Sequence, residues 1–164
     1  MAETTETRGT TFTKPDDTTL VATRIIEAPR DVVWAWHTQC DLVRQWLVGR
    51  EGWTMPVCEI DLRPGGGYRY VYKGPDAPSF TMSGEYREVQ VPERIVSTES
   101  YSESPGETLN TLTLTEEDGR TIVRTVVEYP SKEVREEVLA TGMMDGWAES
   151  YDRLERQLRE MQAA

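Results

Sequence analysis

Apolar and polar residues alternate with a period of two along most of residues 18–129, then recur at three- and four-residue intervals towards the C-terminus. The alternation predicts strands over 18–27, 53–62, 67–73, 80–87, 95–101, 108–115 and 120–129. The second and third are joined by Pro64 and Gly65 to Gly67, a run suited to a tight reversal. Tyr68, Tyr70 and Tyr72 then fall on one face of a strand, and Phe80, Met82, Gly84 and Tyr86 on one face of the next. Between the first two strands, Pro29 and Asp31 suit a helix start, predicting short helices over 30–37 and 41–47. Residues 74–78 and 102–106 read as loops, and 116–119 as a hairpin turn.

After Pro130, Ser131 is placed to cap a helix. We expect one long helix over 132–161. Its apolar stripe is Leu139, Met143, Trp147, Tyr151, Leu154 and Leu158. Gly142 and Gly146 lie within it, and each costs about 1 kcal/mol of helix propensity relative to alanine. Close approach to the sheet, or room for a ligand, would offset that cost. The order of elements predicts an α+β fold of six or seven strands and a long final helix.

The wording of several segments adds to this pattern. Asp61 to Gly66 reads Asp-Leu-Arg-Pro-Gly-Gly. It is preceded by Ala-Pro-Arg-Asp-Val-Val-Trp at 28–34, and followed by Gly-Met-Met-Asp-Gly-Trp at 142–147 and Tyr-Asp-Arg-Leu at 151–154. In this order and spacing they resemble the activator of heat-shock-protein-90 ATPase homologue-like family of the START-like (SRPBCC) superfamily, over about residues 20–161. The resemblance implies the helix-grip (Bet v 1-like) fold, a curved antiparallel sheet wrapped around the long C-terminal helix. It also implies a range of functions, because that superfamily uses one pocketed fold for binding, transport, cyclisation and co-chaperone work.

Composition narrows the partners. The 164 residues suit one domain, and with 37% hydrophobic and 29% charged residues the chain reads as soluble and globular. Residues 1–17 are Thr-rich and lack a signal-peptide core, so we expect a disordered tail before a single START-like domain at 18–164. The net charge of −11 repels polyanions, which argues against nucleic acid and an anionic membrane surface as partners. Two cysteines, Cys40 and Cys58, make no disulfide framework. A reducing cytoplasm is therefore expected, with Cys58 a small core or pocket residue. A monomer or weak homodimer is expected.

Candidate chemistry centres on the space between sheet and helix. The expected lining is Tyr68, Tyr70, Tyr72, Phe80, Met82 and Tyr86 from the sheet and Met143 and Trp147 from the helix, with Trp46, Trp53 and Met55 closing one end. Any one of these aromatics is more often core than site. As a group they argue for a cavity, because the tyrosine hydroxyls each need a partner. His37 is the single histidine and falls one turn after Val33, on the inward face of the first helix. In the resembled family this position is usually apolar or aromatic. Under an enzyme reading His37 and the tyrosines are the acid/base candidates, with His37 a group tuned near neutral pH, against the commoner role of a structural histidine.

No nucleophile elbow, phosphate loop or dinucleotide fingerprint occurs, and no second Cys/His pair completes a metal site, so no cofactor and no metal are expected. The leading expectation is a non-enzymatic protein that holds a small apolar, aromatic or polycyclic molecule for sequestration, transport or self-protection. A polyketide cyclase- or aromatase-like enzyme and a co-chaperone-like interaction protein are the alternatives that the superfamily implies.

Overall fold

The computed structural model describes residues 3–102 and 104–163. Among these residues nine strands form one antiparallel sheet: β1 Glu3–Thr7, β2 Thr10–Lys14, β3 Thr19–Ile26, β4 Thr54–Ile60, β5 Gly67–Lys73, β6 Phe80–Gln90, β7 Arg94–Tyr101, β8 Ser104–Glu117 and β9 Arg120–Glu128. Their spatial order is β1-β2-β3-β9-β8-β7-β6-β5-β4. Helices α1 Arg30–Thr38 and α2 Cys40–Val43 join β3 to β4, and α3 Lys132–Leu139 and α4 Met143–Ala163 follow β9. The sheet is curved and open, and α4 packs into its concave face through Ala148, Ser150, Tyr151, Leu154 and Leu158. This is the helix-grip fold. Among the described residues no helix is long and apolar enough to cross a membrane.

Three expectations are corrected. Residues 3–14, expected as part of a disordered tail, form the β1–β2 hairpin, with Thr7 paired to Thr10 across Arg8 and Gly9; Met1 and Ala2 lie outside the described residues. Arg8 and Gly9 both have positive φ (49° and 82°), the conformation of a two-residue hairpin turn. The hairpin is held because Phe12 is buried against Trp147, with ring centroids 5.7 Å apart. Thr10 is fully buried and accepts a hydrogen bond from Arg24 Nη1 at 2.9 Å. Arg24 in turn pairs with Asp152 at 2.7 Å and Glu155 at 3.1 Å, tying hairpin, β3 and α4 together.

The long final helix is two helices. Ser131 caps α3 by accepting from the Val134 N–H at 3.1 Å, as the sequence indicates. The break falls at 140–142, where Gly142 takes φ +83°, a conformation that ends a helix and that a Cβ would strain. The cost of that glycine is thus met by a turn, not by close packing within a continuous helix.

Cys40 and Cys58 form a disulfide, with Cα atoms 5.7 Å apart. It staples the start of α2 to β4. The two cysteines, read as too few for a disulfide framework, are thus paired, which removes the ground on which a reducing compartment was expected. Two smaller differences follow. The expected second helix at 41–47 is the single turn Cys40–Val43. The expected loop at 102–106 includes Glu103, outside the described residues, and is otherwise mostly taken up by the start of β8.

Candidate functional site

The concave face of the sheet does not close fully on the helices. A cavity of about 570 Å³ lies between them. Strand β5 contributes Tyr68, Tyr70 and Tyr72, at the period of two that the sequence shows. Phe80, Met82 and Tyr86 come from the adjoining β6, and Met143 and Trp147 from the first turns of α4. Trp46 and Trp53 come from the segment between α2 and β4. Met55 is not among the residues lining the cavity; it is buried at 5% exposure in the hydrophobic cluster that also holds Trp46, Tyr68 and Tyr72.

Rings pack on rings around this space. Tyr72 stacks on Phe80 at 4.9 Å, and Trp53 meets Phe80 edge-on at 5.5 Å. Trp46 stacks on Tyr151 at 5.3 Å and donates its indole N–H to the Trp36 carbonyl at 2.7 Å. The segment carrying Trp46 is fastened to α4. Arg153 donates to the Trp46 carbonyl at 3.0 Å, and the Gly49 N–H donates to Ser150 Oγ at 2.8 Å.

The tyrosines are polar handles in an apolar wall. Tyr68 donates to the Thr98 carbonyl at 2.7 Å. No protein partner is seen for the hydroxyls of Tyr70 and Tyr72 among the described residues, so these two are available to a bound molecule. Burial raises all three phenols above their ordinary pKa, and nearby charge, including that of Glu99, raises them further. They therefore act as neutral donors and acceptors.

His37 lines the cavity from α1, as its helical position predicts. Its Nδ1–H donates to the Val33 carbonyl one turn back at 2.7 Å. This leaves Nε2 as the unprotonated nitrogen, and that atom is covered and has no partner among the described residues. The ring packs against Trp46 at 4.9 Å and Tyr151 at 6.3 Å. Burial pushes its pKa down to about 4, with the Val33 hydrogen bond opposing. The expectation of a group titrating near neutrality does not hold here, since burial outweighs the hydrogen bond.

Several lining residues escaped the sequence reading. Strand β7 presents Ile95, Ser97, Glu99 and Tyr101, β8 presents Thr108, Asn110 and Leu112, and β9 with its following residue presents Thr125, Val127 and Tyr129. Each set has the same period of two that revealed β5, so the signal was present. Glu99 is the acidic residue of this lining. Asn110 Nδ2 donates to its Oε2 at 2.5 Å, and Tyr101 supplies another side-chain hydrogen bond. Desolvation nevertheless raises its pKa, the two hydrogen bonds opposing. Among the described residues no cluster of His, Cys, Asp and Glu has the form of a metal site.

Comparisons with known proteins agree with this architecture. A Rhodobacter sphaeroides protein of known structure shares 32% identity over 90% of this chain and 96% of its own, with a TM-score of 0.84. Protein Ms6760 of Mycobacterium smegmatis shares 24% identity over 95% and 97% of the two chains, with a TM-score of 0.80. Protein NE0264 of Nitrosomonas europaea shares 24% over 92% and 100%, with a TM-score of 0.81. The last two likenesses show the fold alone. A search of the curated proteins gave no match. The family model described as "Activator of Hsp90 ATPase homolog 1-like protein" matches residues 27–159, which cover the cavity-lining elements from α1 to α4, and the chain belongs to that family.

Proposed function

We propose that the protein binds a small, largely apolar aromatic molecule in the cavity between sheet and α4, and that it sequesters or carries this molecule without altering it. The observation that carries the reading is the cavity itself. Its volume of about 570 Å³ is that of a small-molecule site, and its walls are mainly apolar and rich in aromatic rings. Apolar walls supply affinity, and the unengaged hydroxyls of Tyr70 and Tyr72 fix orientation. His37, the histidine that the sequence offers as an acid or base, is held well below the working pH, which favours a passive role for it.

The test uses N-phenyl-1-naphthylamine, an uncharged aromatic probe whose fluorescence rises in apolar surroundings. We expect saturable binding, quenching of tryptophan emission and a raised melting temperature. Tyr72→Phe and Met143→Ala are expected to weaken the probe while leaving the unfolding transition cooperative. Absence of binding by the probe and by other small aromatics would refute the reading. An interaction reading, drawn from the family's description, is checked by adding the protein to an Hsp90 ATPase assay. Under the present proposal the rate stays at its basal value.

A further inference from the structure

Glu99 stands on β7 facing the tyrosines of β5, an apolar setting in which an ionised carboxyl is costly. The groups touching it are arranged as donors. Thr108 Oγ1 donates to Asn110 Oδ1 at 2.9 Å, which turns the amide NH₂ of Asn110 toward Glu99. That NH₂ then donates to Glu99 at 2.5 Å, and Tyr101 hydrogen-bonds the same carboxyl. A relay of donors aimed at one carboxyl group prepares it as an acceptor.

A counter-charge is missing. Among the described residues no lysine or arginine contributes to the environment of Glu99. Arg135, which is felt by Tyr129, directs its two Nη groups at the carbonyls of Asp16 and Thr19 and at Glu136, and its Nε is covered without a partner among the described residues. Arg50 lines the cavity but lies near Gly142, at the α3–α4 junction. Around the carboxyl are rings instead: Tyr68, Tyr70, Tyr72, Tyr101 and Tyr129 all lie within its electrostatic reach. Aromatic faces and phenolic oxygens surrounding a carboxylate form a seat for an ammonium group. The overall charge of −11 favours cations at longer range.

We propose that the ligand is an aromatic amine with a basic nitrogen, its ammonium seated on Glu99 among these tyrosines and its apolar body lying along β5 and β6. This rests on the cavity being a ligand site and names the chemical class that fits it. The raised pKa of the free carboxyl has the same origin as the preference, since an incoming cation supplies the compensation that burial denies.

The test displaces N-phenyl-1-naphthylamine at pH 7.5 with three probes of one shape: 1-naphthylmethylamine, 1-naphthylmethanol and 1-naphthylacetic acid. The amine is expected to bind roughly tenfold or more tighter than the alcohol, with the acid weakest, as a desolvated charge pair implies. In Glu99→Gln the ratio of amine to alcohol affinity is expected to fall to about one. An alcohol that matches the amine on the native protein overturns the proposal, and so does an amine preference that survives in Glu99→Gln. If that variant does not fold, the ranking on the native protein decides alone. Reporter binding without an amine preference sinks the amine and leaves the cavity reading standing. Failure of the reporter and of all three naphthyl probes sinks both.

Discussion

The corner where α1, α2 and β4 meet and the wall made by β7 and β8 treat an ionisable side chain in opposite ways. In the corner, the ring of His37 borders the cavity but its two nitrogens are spent or covered. Its Nδ1–H is spent on its own helix, its Nε2 is covered, and Trp46 and Tyr151 pack against the ring. The Cys40–Cys58 bond ties α2 to β4 in the same region. At the wall, Glu99 is oriented by Asn110 and Tyr101 but left facing space. Burial drives both groups towards their neutral forms, one down to about 4 and the other upward. One physical cause therefore serves two ends. It makes His37 a silent part of the frame, and it leaves Glu99 short of a partner.

The difference is broken most severely at Trp46. This side chain is 1% exposed and holds the corner through its stack on Tyr151 and its bond to Trp36. Trp46→Ala is expected to cost about 3–5 kcal/mol in denaturant unfolding, as large aromatic truncations do. A cost near zero would mean that the corner is not the rigid half. His37→Gln tests the burial itself. Below an ordinary histidine pKa of 6.5 the unfolded chain takes up a proton that the folded chain refuses until about pH 4. The native protein therefore loses stability as pH falls through that window, by up to about 3 kcal/mol, and the variant should lack this slope. Equal slopes in the two proteins would show that His37 is not buried as described.

Glu99→Gln is expected to have the smallest effect and the opposite sign. The folded carboxyl keeps its proton above the ordinary value of 4.5, where the unfolded chain has already released it. The native protein then loses stability as pH rises through the folded pKa, and the variant does not. Its denaturation midpoint at pH 8 should lie above that of the native protein. A lower midpoint would make the Asn110–Glu99 pair a structural bond in its own right.

The two regions also differ in how far the sequence reveals them. Tyr68, Tyr70 and Tyr72 announce a buried face because an aromatic at every second position has no other place to go. Glu99 keeps the same rhythm with Ile95, Ser97 and Tyr101, but a glutamate in a strand ordinarily marks the solvent side. Nothing local says that this face turns inward. The disulfide was hidden for a different reason, since pairing Cys40 with Cys58 requires knowing that α2 lies against β4. At Gly142 the cost of the residue was legible and its cause was not, because propensity does not report φ. The β1–β2 hairpin was masked by its polarity. One anchor, Phe12, and one buried hydroxyl, Thr10, hold a segment whose threonines otherwise read as solvated.

That hairpin makes the N-terminus a remote control on the cavity. Trp147 is shared: one side of it meets Phe12, and the same residue lines the pocket. A proteolytic cut or bulky fusion that dislodges residues 3–14 would free this indole to rotate and would alter the volume offered to a ligand. Affinity would then change although none of residues 3–14 lines the pocket.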